Sequence, residues 1–124
     1  MIRNALVCLA AAGAVTLTSC GGASTPDAAA LCKNLTAMIS GFATKSAACT
    51  AEKDHYTANN VPSGSTCAAF VGTNCTAADQ AAMQKWVDCV NGLATCATAN
   101  ESAFVAAIGV CDSQVNSVSG ACLK

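Results

Sequence analysis

Ten cysteines stand in a chain of 124 residues, and eight of them are spread from Cys32 to Cys122. No Cys-x-x-Cys occurs; Cys89 and Cys96, seven residues apart, are the closest two. Zinc sites and reactive dithiols usually draw on such close pairs, because one metal ion or one exchangeable bond needs both sulfurs within a turn of chain. Widely spaced cysteines are suited to link distant segments. Neither a metal nor a redox cofactor is therefore expected, and structural disulfides are. Disulfides persist in oxidising compartments, so the reading depends on whether the chain is exported.

The first residues speak to that. Met1-Ile2-Arg3-Asn4 is short and positive, and Ala5 to Leu17 is an almost wholly apolar run. Crossing a bilayer takes about 20 apolar residues, so the run is too short for a permanent span. It has the length of the apolar region of a signal peptide, with Cys8 a small hydrophobe inside it. The run closes on Leu17-Thr18-Ser19-Cys20, followed by Gly21 and Gly22. This resembles the lipobox of bacterial lipoproteins, in which the cysteine thiol takes a diacylglycerol group and a peptidase cuts just before it.

The resemblance covers residues 1–22 and is silent on the rest. It implies a signal peptide over 1–19, a lipidated tether over 20–25 and a cysteine-rich domain over 26–124. It also implies a membrane partner reached through lipid on Cys20, in a bacterial cell envelope. Glycine rather than aspartate after the cysteine points, by the sorting rule of enteric bacteria, to the outer membrane. Cysteine parity agrees: with Cys20 lipidated, Cys32, Cys49, Cys67, Cys75, Cys89, Cys96, Cys111 and Cys122 remain, an even set for four bonds.

The domain reads as all-α, a small bundle of three main helices. After Thr25-Pro26-Asp27, a start signature, Leu31, Leu35, Met38 and Phe42 recur on one helical face, giving a helix over about 27–49. Thr76-Ala-Ala-Asp79 is a capping box in its aspartate form and opens a second helix with Met83, Trp86, Val90, Leu93 and Ala97 in a stripe. Asn100-Glu101 opens a third, with Phe104, Ile108, Cys111, Val115 and Val118 on one face and Gly120 at its end. Between them, residues 50–74 read as a long cross-linked loop. Short helical turns fit around Ala51–Tyr56 and Cys67–Val71, and Asn59 to Ser65 has turn composition.

Geometry suggests a connectivity. If the second and third helices form an antiparallel hairpin, facing residues have numbers summing to about 198. Cys89 with Cys111 and Cys75 with Cys122 both meet that register. In an up-down-up bundle the start of the first helix lies beside the end of the second, which pairs Cys32 with Cys96 and leaves Cys49 for Cys67.

Several function classes are disfavoured. Charged residues make up 10% of the chain and the net charge is -1, so no basic surface for nucleic acid exists. His55 is the only histidine. Beside Glu52 and Asp54 it reads as part of a solvated polar loop, with no nucleophile motif to complete a catalytic set. Glycines form no phosphate-cradling loop. No enzyme is expected. The expected function is a non-enzymatic structural or protein-interaction role in the envelope, with an envelope protein as partner. The alternative is a binder of a small apolar ligand, lipid-like or sterol-like, in a cavity between helices.

Overall fold

A computed structural model describes residues 27–57 and 64–123. The expected signal peptide, Cys20 and the tether lie outside the described residues. Four α-helices follow in order: α1 (Ala28–Ser46), α2 (Gly64–Asn74), α3 (Ala77–Asn91) and α4 (Glu101–Asp112), with 3-10 turns at Thr98–Asn100 and Ser113–Ser117. Among the described residues there is no strand. The described residues are all-α as expected, but they form four helices, because α2 fills part of the span read as loop.

Local signals explain most boundaries. Asp27 caps α1, its carboxylate accepting from the backbone N–H of Ala29 at 3.0 Å. The expected stripe Leu31, Leu35, Met38 and Phe42 is buried, joined by Cys32 and Ile39. The capping box at α3 is present: the Thr76 hydroxyl accepts from Asp79 N–H, and the Asp79 carboxylate accepts from Thr76 N–H at 2.8 Å. The second helix was expected to reach Ala97 but ends at Asn91, capped by Gly92, whose N–H donates to Asp88 O and Cys89 O. Leu93 to Ala97 continue as irregular chain. Asn100 makes no side-chain cap to α4; its Oδ1 instead accepts from Ala97 N–H at 2.7 Å.

The bonds are Cys32–Cys67, Cys49–Cys96, Cys75–Cys122 and Cys89–Cys111. The last two are those of the hairpin register, with Cα–Cα distances of 4.7 and 5.4 Å. The expected pairs Cys32–Cys96 and Cys49–Cys67 do not form, and the reason is that the short turn expected around Cys67–Val71 is a full helix, α2. With α2 inserted, the chain reverses direction once more before α3. Thus α3 runs parallel to α1, not against it.

Cross-contacts record that register. Asn34 donates to Gln84 at 3.0 Å across a separation of 50 residues, and Lys45 to Leu93 O at 2.8 Å across 48. Lys45 also donates to Asn91 O. Near-constant separation is the mark of parallel alignment, and Cys49–Cys96, at 47, continues it. The end of α1 lies beside the end of α3, where Cys96 N–H donates to Lys45 O at 2.8 Å. Cys32, near the start of α1, is left to Cys67 on the antiparallel α2.

The core is built from few large side chains. Of nineteen buried apolar residues among those described, seven are half-cystines; Leu31, Met38, Phe42 and Ile108 are the largest of these side chains fully enclosed. Among the described residues one charged side chain is buried, Asp79, and it is fully partnered. Its Oδ1 accepts from Ser119 N–H at 2.7 Å and its Oδ2 from Thr76 Oγ1 at 2.8 Å and Ser119 Oγ at 3.0 Å. The backbone N–H groups of Ser119 and Thr76 hold the Asp79 carboxyl down to about 2. This one carboxylate caps α3 and ties the chain after α4 onto it.

Candidate functional site

Five residues of the chain are Phe, Tyr or Trp, and four of them gather at one place. Phe42 of α1 meets Tyr56 edge-on at 4.6 Å between ring centroids and stacks on Phe104 of α4 at 5.9 Å. Tyr56 in turn meets Trp86 of α3 at 5.3 Å and His55 at 4.6 Å, both edge-on. Edge-to-face packing sets the positive ring rim against the negative face, a favourable arrangement.

Asp112 is the polar centre of this cluster. It ends α4, where a negative charge opposes the helix dipole and needs donors. Three side chains supply them. Tyr56 OH and Trp86 Nε1 donate to Oδ1, the latter at 3.2 Å, while His55 Nε2 lies 3.0 Å from Oδ2. On the other side of the imidazole, His55 Nδ1 lies 2.8 Å from Glu52 Oε2. Burial, and then the hydrogen bond to Asp112, push the Tyr56 phenol above the usual tyrosine range. Glu101 of α4 accepts from Ala51 N–H at 3.2 Å and holds the start of the same segment.

Glu52 and His55 were expected in a solvated loop. His55 remains exposed, yet the segment 50–57 is seated on α1, α3 and α4 by hydrogen bonds and rings. Asp112 and Tyr56 were not singled out as site residues from the sequence, and Trp86 was read only as part of a helical stripe. Their partners lie 26 to 57 residues away along the chain, and no local motif marks such a meeting.

These contacts fix the segment in place. Each imidazole nitrogen faces a carboxylate, and the nearby Ser46 and Ser113 hydroxyls donate to the carbonyls of Phe42 and Val110 instead. Among the described residues no group of three or more His, Cys, Asp or Glu side chains is placed to hold a metal ion.

Two other features of the surface are open. A groove of about 510 Å³ is lined by Ala29, Cys32, Lys33, Thr36, Ala37 and Ser40 of α1 and Ala68 of α2. On α4, Val110 is 63% exposed, and past it Leu123 is 61% exposed. Between Glu101 and Asp112 the helix carries no charge. Among the described residues no helix is long and apolar enough to cross a membrane.

Comparison of the chain with protein-family models, with curated proteins and with solved structures finds no match.

Proposed function

We propose that this protein is an exported lipoprotein, held to the cell envelope by lipid on Cys20, whose disulfide-locked domain serves a structural or protein-interaction role and not an enzymatic one. The observation that carries the reading is the cysteine balance. All eight cysteines from Cys32 to Cys122 bond to one another, so the domain offers Cys20 no thiol to pair with. A cysteine at the end of an apolar leader, and without a call on it from the fold, is the residue the lipobox resemblance assigns to acylation. Four bonds also suit an oxidising compartment. The apolar side chains of Val110 and Leu123, standing in solvent, support a protein partner as the domain's business.

The test is Cys20→Ser expressed in a Gram-negative host. The protein is expected to leave the membrane fraction and appear as a soluble species; continued membrane retention contradicts the anchor. A second reading, an apolar ligand, draws on the groove between α1 and α2. Native mass spectrometry of protein from its own host separates the two: a stoichiometric lipid favours the groove, and a ligand-free mass with a protein bound favours the partner.

A further inference from the structure

Thiol–disulfide exchange begins when a thiolate attacks a disulfide sulfur, so a bond reacts only where one of its sulfurs can be approached. Seven of the eight half-cystines from Cys32 to Cys122 are buried, from 1% exposed for Cys49, Cys67 and Cys111 to 9% for Cys75. Cys89 differs from them: it packs against the core only in part and keeps some of its surface in solvent. Its partner Cys111 is 1% exposed, so this bond has one open end and one closed end. Each of the other three bonds joins two buried residues.

We propose that Cys89–Cys111 is the domain's site of thiol exchange, entered at Cys89 Sγ, and that opening it leaves the fold standing. The co-reactant is a dithiol. Its first thiolate attacks Cys89 Sγ, the sulfur–sulfur bond breaks, and Cys111 leaves as a thiolate that takes up a proton. The second thiol of the reagent then attacks its own sulfur in the mixed disulfide and releases Cys89 as a thiol. Two electrons pass from the dithiol, which becomes a disulfide, to the two cysteines. With a monothiol the first step is followed by its reversal, because the displaced Cys111 lies beside the mixed disulfide.

The contacts of α4 decide what survives the opening. Phe104 and Ile108, 4% and 2% exposed, stay in the core, and Phe104 still stacks on Phe42 of α1. Asp112, next to Cys111, is still held by Tyr56 OH and by Trp86 Nε1 of α3. Past α4, Cys75–Cys122 and the hydrogen bonds of Ser119 to Asp79 fasten the chain to the start of α3. The bond also closes the shortest of the four loops, 22 residues against 35 and 47, so opening it relaxes the unfolded chain least. Exchange is therefore local and reversible: α4 stays seated, the two thiols stay near each other, and re-oxidation restores the same bond.

Limited reduction of the oxidised protein tests this, with dithiothreitol as the dithiol, then acid quenching, alkylation and peptide mapping without further reduction. The first reduced species is expected to carry label on Cys89 and Cys111 alone, with the other three bonds intact, and to keep its helical circular dichroism. With glutathione in excess, the trapped adduct is expected on Cys89 and the alkylated thiol on Cys111. The double variant Cys89→Ser/Cys111→Ser is expected to keep the helical signal and to lose the fastest phase of thiol release. A first species opened at any other bond overturns the proposal, as does loss of all four bonds together with no species holding two thiols. Glutathione on Cys111 overturns the point of entry. Loss of the helical signal in the two-thiol species or in the double variant overturns the claim that opening is local.

Discussion

Reducing all four disulfides asks how much of this fold rests on sulfur. Seven of the nineteen buried apolar residues are half-cystines, so the core holds few side chains that bury large area on their own. The bonds close loops of 35, 47, 47 and 22 residues. On the chain-entropy account, loops of these sizes constrain the unfolded chain by about 3.4 to 4 kcal/mol each. The loops of Cys32–Cys67 and Cys49–Cys96 interleave, so the four effects overlap, and a combined value near 15 kcal/mol is an upper bound. Even half of that matches the net stability of many domains, about 5–15 kcal/mol. The oxidised protein should therefore be helical at about 37 °C, and the reduced protein should lose its helical circular dichroism cooperatively. Reduced protein that stays helical and melts in a sharp transition would falsify the claim that the core is too small to stand alone.

Three further outcomes follow from particular contacts. The Asp79 carboxyl is depressed to about 2 in the folded protein, against an ordinary value of about 3.9. Its contribution is complete above the ordinary value and is lost as pH falls through about 2; thermal melts over that range should decline in the natural protein and be flatter, from a lower start, in Asp79→Asn. Phe42→Ala removes a ring that is 1% exposed and touches Tyr56 and Phe104, and should cost about 3–5 kcal/mol in urea unfolding. A cost near that of a surface change would mean the rings are not packed as described. Lys45→Met frees the Asn91 and Leu93 carbonyls at the end of α3 and should cost about 1.5–3 kcal/mol by the same measurement, with an unchanged midpoint speaking against the clamp.

What the sequence showed and what it hid divide along a physical line. The Thr76–Asp79 capping box was legible because both partners lie within one turn, and the stripes of α1 and α4 because their large side chains repeat at helical spacing. The helix α2, Gly64–Asn74, has no such stripe: it turns mainly Cys67 and Val71 inward and carries glycine, serine and threonine. A short helix of that composition is held by its surroundings, here by Cys67 within it and Cys75 just past it, and not by propensity. Reading it as no more than a short turn around Cys67–Val71 reversed the direction assigned to the following helix and so exchanged Cys67 and Cys96 as partners. The hairpin bonds escaped the error, because Cys75, Cys89, Cys111 and Cys122 all follow α2. The cluster around Asp112 was hidden for another reason: Glu52, His55, Tyr56, Trp86 and Asp112 come together only once three segments have packed.

Mass spectrometry of the unreduced protein, extracted from its native membranes with free thiols alkylated, tests the assignment of one anchor and eight staples most directly. The expected result is a chain that begins at Cys20 with acyl groups on that residue, no alkylated thiol from Cys32 to Cys122, and cross-linked peptides joining Cys32 to Cys67 and Cys49 to Cys96. A disulfide between Cys20 and any of the eight, with a free thiol left in the domain, would contradict it.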